Sequence, residues 1–367
     1  MNTQHDAETE SLVYDDVVRI MDQPSLSATV HEGNSGFTNQ RASLADVARL
    51  AEVSPITVSR ALRNPARVRP DKRKRIQLAV EQTGYSINPY ASALKSGRSN
   101  IVLAFASNTM SEQFSLALKA CAEVLEKAGF LFLVGQTSYS YERETAAIRS
   151  LHAMKPAAVM FTGVIELQAN REVLRSLEIP IMETWAFPKD PIDMLVGFSN
   201  TEAGQLAAEL LSRKGYREVA YIGRRSGRGA LRLKGFRTQC QLLGMDLVSE
   251  VLVDDITGLS KGRSCLHEIL KSAVNPQAVF CANDVLALGC LMEARRLGIS
   301  VPKDLGIIGF GDSDIAAEIP PGLTTIGVDS ARLGNEAGKM LIARLSGEII
   351  DEKTRRLDLI VSERGSI

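Results

Sequence analysis

Two clusters of arginine and lysine carry the recognition chemistry of this chain. A guanidinium presents a rigid fork of donors that pairs with the planar faces of carboxylates, phosphates and guanine, so clustered arginines point to anionic partners. The first cluster spans Arg41–Arg98, with twelve basic residues against four acidic ones, Asp46, Glu52, Asp71 and Glu81. The second is the loop G-R-R-S-G-R-G-A-L-R, which collects Arg224, Arg225, Arg228 and Arg232 with Lys234 close behind. There the chemistry suits a small anion, a sugar acid or its phosphate better than a neutral sugar, while a solvated basic loop accounts equally well for Arg224 and Arg225. Catalytic and metal chemistry find little support. His5 and His31 lie near the start of the chain, and His152 and His267 sit in helical stretches without a matching Ser or Cys motif. The chain has no Walker loop or metal-ligand spacing, and the arginine loop lacks the Gly-x-Gly-x-x-Gly pattern. The reading is therefore no catalytic residue, no metal, no cofactor and no enzyme.

These clusters must be held by folded elements, and 367 residues with 45% hydrophobic content suffice for two or three domains. The formal charge is zero, with 43 basic and 43 acidic residues. That sum conceals a segregation: Met1–Gln40 carries −6, Arg41–Arg98 carries +8 and Ser99–Ile367 carries −2. Residues 1–40 read as a disordered acidic extension, either a solvated tail or an electrostatic competitor for the basic segment. No apolar run approaches the ~20 residues that span a bilayer, and the polar start lacks the features of a secretory signal, so a cytoplasmic protein with no membrane association is expected. Five cysteines without a CxxC pair agree with a reducing compartment and with core packing.

Within the basic segment, Ser43 caps a first short helix with Leu44, Val47, Ala48 and Ala51 at helical spacing. Ser54 caps a second that starts on Pro55, where a missing N–H costs nothing. A third runs from Pro70 to Gln82, and Gly84 ends it. The shared core is expected to be Val47, Ala51, Val53, Val58, Leu62, Ile76 and Val80. Such a helix-turn-helix unit places the start of its second helix against base edges in the major groove. From Asn100 onward, short apolar strands alternate with amphipathic helices, the rhythm of parallel α/β sheets, and a second set beginning after Asn200 makes two lobes. The fold class is α/β: an N-terminal all-α domain over 41–86, a linker over 87–99 and a two-lobed core over 100–367.

Leu44–Asn100 resembles the DNA-binding domain of the LacI/GalR family of bacterial repressors. The resemblance rests on L-A-D-V-A-R-L-A-E-V-S-P-I-T-V-S-R-A-L and on G-Y-S-I-N-P-Y-A-S-A-L-K-S-G-R-S, which is similar to the family's linker. It implies that Pro55, Ile56 and Arg60 face bases. Arg60 can donate twice to guanine, and Pro55 and Ile56 offer only apolar contact, which favours thymine methyl groups over the choices of relatives with polar side chains there. Ser54, Thr57, Ser59 and Asn64 suit phosphate contacts, which position without specifying. The stretch from Asn88 to Ser96 resembles the hinge helix, with Leu94 as the minor-groove wedge; the segment is too short to be a stable helix alone.

The resemblance continues through G-F-S-N-T-E-A-G, L-R-L-K-G-F, V-F-C-A-N-D-V-L-A-L-G and G-I-I-G-F-G-D-S-D-I, over the family's type I periplasmic-binding-protein-like core. By that likeness Arg232 holds effector, with Arg228 beside it, and Asn283 contacts ligand or serves only as a strand-to-helix cap. Gly311 replaces an acid of the family pattern, leaving Asp312 or Asp314 as substitutes. Glu183 and Trp185 are expected on the other wall. Within the family the chain looks most like gluconate-utilisation repressors. The implied function is a homodimeric repressor of sugar-acid catabolism genes, released from palindromic double-stranded operator DNA by gluconate, a ketogluconate or 6-phosphogluconate. The alternatives are a co-repressor-type regulator answering to a neutral sugar or nucleobase and, more remotely, a sugar-binding transport or chemotaxis protein.

Overall fold

The computed structural model describes residues 42–63, 65–85, 99–109, 111–256, 258–271 and 274–367. Contacts divide the chain into two units, Met1–Ile87 and Asn88–Ile367. In the first, α1 (Leu44–Leu50) and α2 (Pro55–Arg63) are followed by a 3-10 turn at Pro65–Arg67 and by α3 (Pro70–Thr83). A reciprocal capping box starts α1: the Asp46 N–H donates to Ser43 Oγ and the Ser43 N–H donates to the Asp46 carboxylate at 2.9 Å. Glu52 takes φ 53° in the turn before α2, and Gly84 ends α3 at φ 63°, a conformation that costs glycine nothing. The core is Val47, Ala48, Ala51, Val58, Ala61, Val68, Ile76 and Ala79, with Val53, Leu62 and Val80 half-buried around it. The small alanines take more of the centre than a hydrophobicity reading assigns them, because three short helices must approach closely.

The second unit begins with β1 (Ile101–Ala106), α4 (Glu112–Lys127), β2 (Leu131–Gln136), α5 (Tyr141–Met154), β3 (Ala158–Phe161), α6 (Gln168–Ser176), β4 (Ile181–Thr184), β5 (Met194–Gly197), α7 (Asn200–Arg213) and β6 (Glu218–Arg224). It continues with α8 (Gly227–Leu242), β7 (Asp246–Val253), α9 (Leu259–Ile269), β8 (Ala278–Cys281), α10 (Asp284–Arg296), β9 (Gly306–Phe310), α11 (Asp314–Glu318), β10 (Thr324–Gly327), α12 (Ser330–Leu345), β11 (Thr354–Arg356) and β12 (Ile360–Ser362). Two sheets result, ordered β11-β5-β4-β3-β1-β2 in the amino lobe and β12-β10-β9-β8-β6-β7 in the carboxyl lobe. All pairings are parallel except β10 with β12. Strands β3, β8 and β9 are buried along their whole length, which is why they read as unbroken apolar runs. The chain passes between the sheets after β5, after β10 and after β11, so the lobes share three connections.

Helices α7 and α8 pack at backbone contact through two glycines. A Cβ on Gly204 would lie 2.0 Å from the Arg232 carbonyl oxygen, and one on Gly235 would lie 1.9 Å from that of Thr201. This close approach sets buried Asn200 beside buried Arg232. Among the described residues, no helix is long and apolar enough to cross a membrane.

Candidate functional site

In the helical unit, α2 buries Val58 and Ala61 and turns Pro55, Ile56 and Arg60 outward. Ile56 is 68% exposed, an isoleucine left uncovered at the start of the helix that would face bases. Ser54 Oγ accepts from the Thr57 N–H at 3.2 Å and lies 2.8 Å from Thr57 Oγ1, so both hydroxyls begin the helix while staying on the same end as Pro55 and Ile56. Ser59 is half-buried beside them. The acidic residues Asp46 and Glu52 are each paired with an arginine, Arg49 and Arg75. Asn64, Asn88 and Leu94 lie outside the described residues.

The larger unit has a cleft of about 140 Å³ between its lobes, lined from the carboxyl ends of the strands. Ser107 follows β1, Tyr139 follows β2, Gly163 follows β3, Trp185 follows β4, Arg224 ends β6, Asn283 follows β8 and Phe310 ends β9. Its inner end is aromatic. Phe114 meets Trp185 edge-on at 4.9 Å, Trp185 meets Phe198 at 6.0 Å, and Phe198 lies 5.7 Å from Phe310.

Arginines stack on this frame. The Arg232 guanidinium sits 4.0 Å from the Phe310 centroid and donates to Asn200 Oδ1. Burial pushes its pKa down to about 10, so it stays protonated at neutral pH. Arg228 lies 5.1 Å from the Phe114 centroid and reaches across the lobes to donate to the Thr162 carbonyl at 2.8 Å. Arg224 stacks 4.7 Å from Tyr139. Helix α8 starts at this point with no side-chain cap and no acidic residue in its first turn, which leaves its N–H groups and dipole facing the cleft. Among the described residues, the buried side-chain donors without a partner are Trp185 Nε1 and Arg232 Nε, both on this lining.

Two sequence expectations need correction. Glu183 is not on the cleft wall. It is fully buried, and its two oxygens accept from the Ile165 N–H at 2.8 Å and the Ile192 N–H at 2.7 Å, with Arg171 3.8 Å away. It holds the loop after β3 whose Gly163 and Glu166 do line the cleft, and burial pushes its pKa up against those bonds. Asp312 also faces elsewhere: it accepts from Arg364 at 2.7 Å and from Ser362 at 2.8 Å, tying the end of β9 to β12. Arg225 pairs with Asp254 away from the lining. Asn283 is the strand-to-helix cap, accepting from the Leu286 N–H at 2.9 Å to start α10, and it also lines the cleft.

The amino-lobe wall was missed. It carries Tyr139, Tyr141, Glu144 and Glu166. Tyr141 OH donates to the Glu166 carboxylate in a short hydrogen bond, which, with burial, raises the tyrosine to about 12. Glu144 accepts from Asn170 at 3.1 Å, and burial followed by the nearby Glu166 charge raises its pKa despite that bond. The signal was the run S-Y-S-Y-E-R-E directly after a strand, where a crevice must form.

Residues 43–88 match the bacterial regulatory proteins of the lacI family, and residues 208–367 match a periplasmic binding protein-like domain. The chain is 33% identical over 325 residues to the HTH-type transcriptional regulator GntR of Pseudomonas aeruginosa, covering 88% of this chain and 94% of that one. It is 28% identical over 329 residues to the regulator of the same name from Escherichia coli, covering 89% and 99%. A LacI-family transcriptional regulator from Silicibacter pomeroyi, solved by crystallography, superposes with TM-score 0.82 at 27% identity over 89% of this chain and 99% of that chain. With its helix-turn-helix unit, two-lobed core and interlobe cleft, the chain belongs to the LacI family of DNA-binding transcriptional regulators, which are not enzymes.

Proposed function

We propose that the protein is a cytoplasmic, homodimeric repressor of sugar-acid catabolism genes that leaves a palindromic operator when an anionic small molecule such as gluconate, a ketogluconate or 6-phosphogluconate binds between its lobes. The observation that carries this reading is the inner end of the cleft, where the buried donors Trp185 Nε1 and Arg232 Nε lack partners. Buried donors are costly unless an acceptor reaches them, and an anion supplies the strongest one. Residues 41–86 bind DNA, with Arg60 as the main base reader and Ile56 and Pro55 as apolar contacts. Residues 87–99 form the hinge, with Asn88 and Leu94 reaching the minor groove, and residues 100–367 bind effector and dimerise. Two-fold protein symmetry then matches a palindromic site.

The lobes are bridged by Arg228 on the Thr162 carbonyl and by Arg224 on Tyr139, contacts in the wall the effector would touch. Effector changes DNA affinity only if it binds one lobe arrangement better than the other. The chain has a single tryptophan, and it lines the cleft, so Trp185 fluorescence reports binding directly. The expected result is a saturable Trp185 signal with gluconate and loss of operator binding in fluorescence anisotropy over the same concentration range. Tighter operator binding with these acids would make the protein a co-repressor system, and tighter binding of a neutral hexose would overturn the anionic effector.

A further inference from the structure

The two ends of the cleft differ in burial and in charge. Trp185, Arg232 and Phe310 at the inner end are at least nine-tenths buried, and both unpartnered donors are there. At the outer end Tyr139 and Tyr141 are exposed, and the carboxylates of Glu144 and Glu166 face the cleft with them. Glu166 Oε1 comes within 3.8 Å of where a Cβ on Gly227 would lie, at the start of α8. An anion entering this cleft therefore meets donors at one end and acceptors at the other.

We infer that the effector is a polyhydroxy acid with one negative charge, held carboxylate-inward on Trp185 and Arg232, and that Tyr141, Glu144 and Glu166 are specificity-determining residues that take its hydroxyls and exclude a second anion at the far end. The inference rests on the effector reading above and narrows it. A carboxylate offers one oxygen to each of the two unpartnered donors. A carboxylate also has about four lone-pair sites, so Glu144 and Glu166 keep acceptor capacity beyond the single bonds to Asn170 and Tyr141. Hydroxyls can donate to that capacity. A carboxylate or a phosphate dianion has no proton to donate and is repelled by both glutamates. The Glu166 charge already adds to the cost of ionising Glu144.

The decisive measurement compares gluconate with glucarate, which has the same six-carbon chain and a second terminal carboxylate, and with 6-phosphogluconate. Affinities are read by Trp185 fluorescence and calorimetry on the full-length protein. Gluconate is expected to bind at least tenfold tighter than either glucarate or 6-phosphogluconate. In the Glu144→Gln, Glu166→Gln double variant that preference should fall to within about threefold, whereas Arg232→Gln should weaken all acids together. The wild-type comparison stands even if a variant fails to fold. Equal wild-type affinity for gluconate and glucarate, or a preference unchanged in the double variant, would overturn the inference while leaving an anionic effector in place. A cleft that takes a neutral hexose and none of the three acids would overturn the effector reading itself.

Discussion

Replacing Gly204 by alanine tests whether the contact between α7 and α8 seats the cleft-lining Arg232. The new Cβ would meet the Arg232 carbonyl oxygen at 2.0 Å and the Phe236 nitrogen at 2.6 Å. Both are backbone atoms, so no flexible side chain can give way. Restoring an ordinary contact of 3.4 Å requires the helices to part by about 1.4 Å. Overpacking of this kind costs ~1–3 kcal/mol, and the better helix propensity of alanine returns ~1 kcal/mol. A net loss of up to ~2 kcal/mol lowers the melting midpoint by up to roughly 8 °C in a unit of this size. The displaced carbonyl belongs to Arg232, whose guanidinium would move off Asn200 and out of register with the cleft. Loss of one charged hydrogen bond to ligand, ~1.5–3 kcal/mol, corresponds to about 10- to 100-fold weaker binding. Differential scanning fluorimetry reads the first effect, and Trp185 fluorescence titrated with gluconate reads the second. Gly235→Ala should behave alike, and the double variant should cost less than the sum because one separation relieves both contacts. A Gly204→Ala protein with unchanged midpoint and unchanged gluconate affinity would refute the reasoning.

Arg60→Ala should cost ~1–3 kcal/mol on the matched operator and much less on one substituted at the contacted base pair, measured by anisotropy at fixed salt; equal weakening of both would assign Arg60 to phosphate. Glu183→Gln leaves a single acceptor for two buried N–H groups, those of Ile165 and Ile192, and should lower stability by ~1–3 kcal/mol in chemical denaturation. A normal midpoint with tenfold weaker effector binding would return Glu183 to the cleft. Glu293 is held down to about 2, first by its hydrogen bond to Arg296 and then by Arg263 and His267. Its folded pKa lies below the unfolded value, so its stabilisation is present above pH 4.5 and disappears as pH falls toward 2. Wild type should therefore lose thermal stability faster than Glu293→Gln across that window, and parallel curves would contradict the assignment.

Much of the helical unit was legible because its determinants are local. Ser43 and Asp46, Ser54 and Thr57, and the helix-ending Gly84 act on neighbours three or four residues away, and the chain order reveals such pairs. The core strands were legible for a related reason, since double-sided burial writes them as apolar runs. The fates of Glu183 and Asp312 were not. Both follow strand ends where ligand contacts belong, and only their partners decide otherwise: Ile165 and Ile192 for one, Arg364 and Ser362 for the other. Asp284 shows the same limit, since its carboxylate accepts from Ser313 and Thr325 rather than facing the cleft.

The sequence by itself determined the class of molecule: a basic reading helix, a two-lobed α/β core and an arginine-rich loop between strand and helix. Only the tertiary structure decided the character of the interlobe cleft. Arg228 and Thr162 stand 66 positions apart and Tyr141 and Glu166 stand 25 apart, yet each pair shares a hydrogen bond in the same cleft. Periodicity and capping are set by the residue types within one helical turn, whereas a group's burial, partner and charge environment depend on which loops two sheets bring together. What reads along the chain as a cluster of positive charge becomes, in the folded protein, a cleft with donors at its buried end and carboxylates at its mouth.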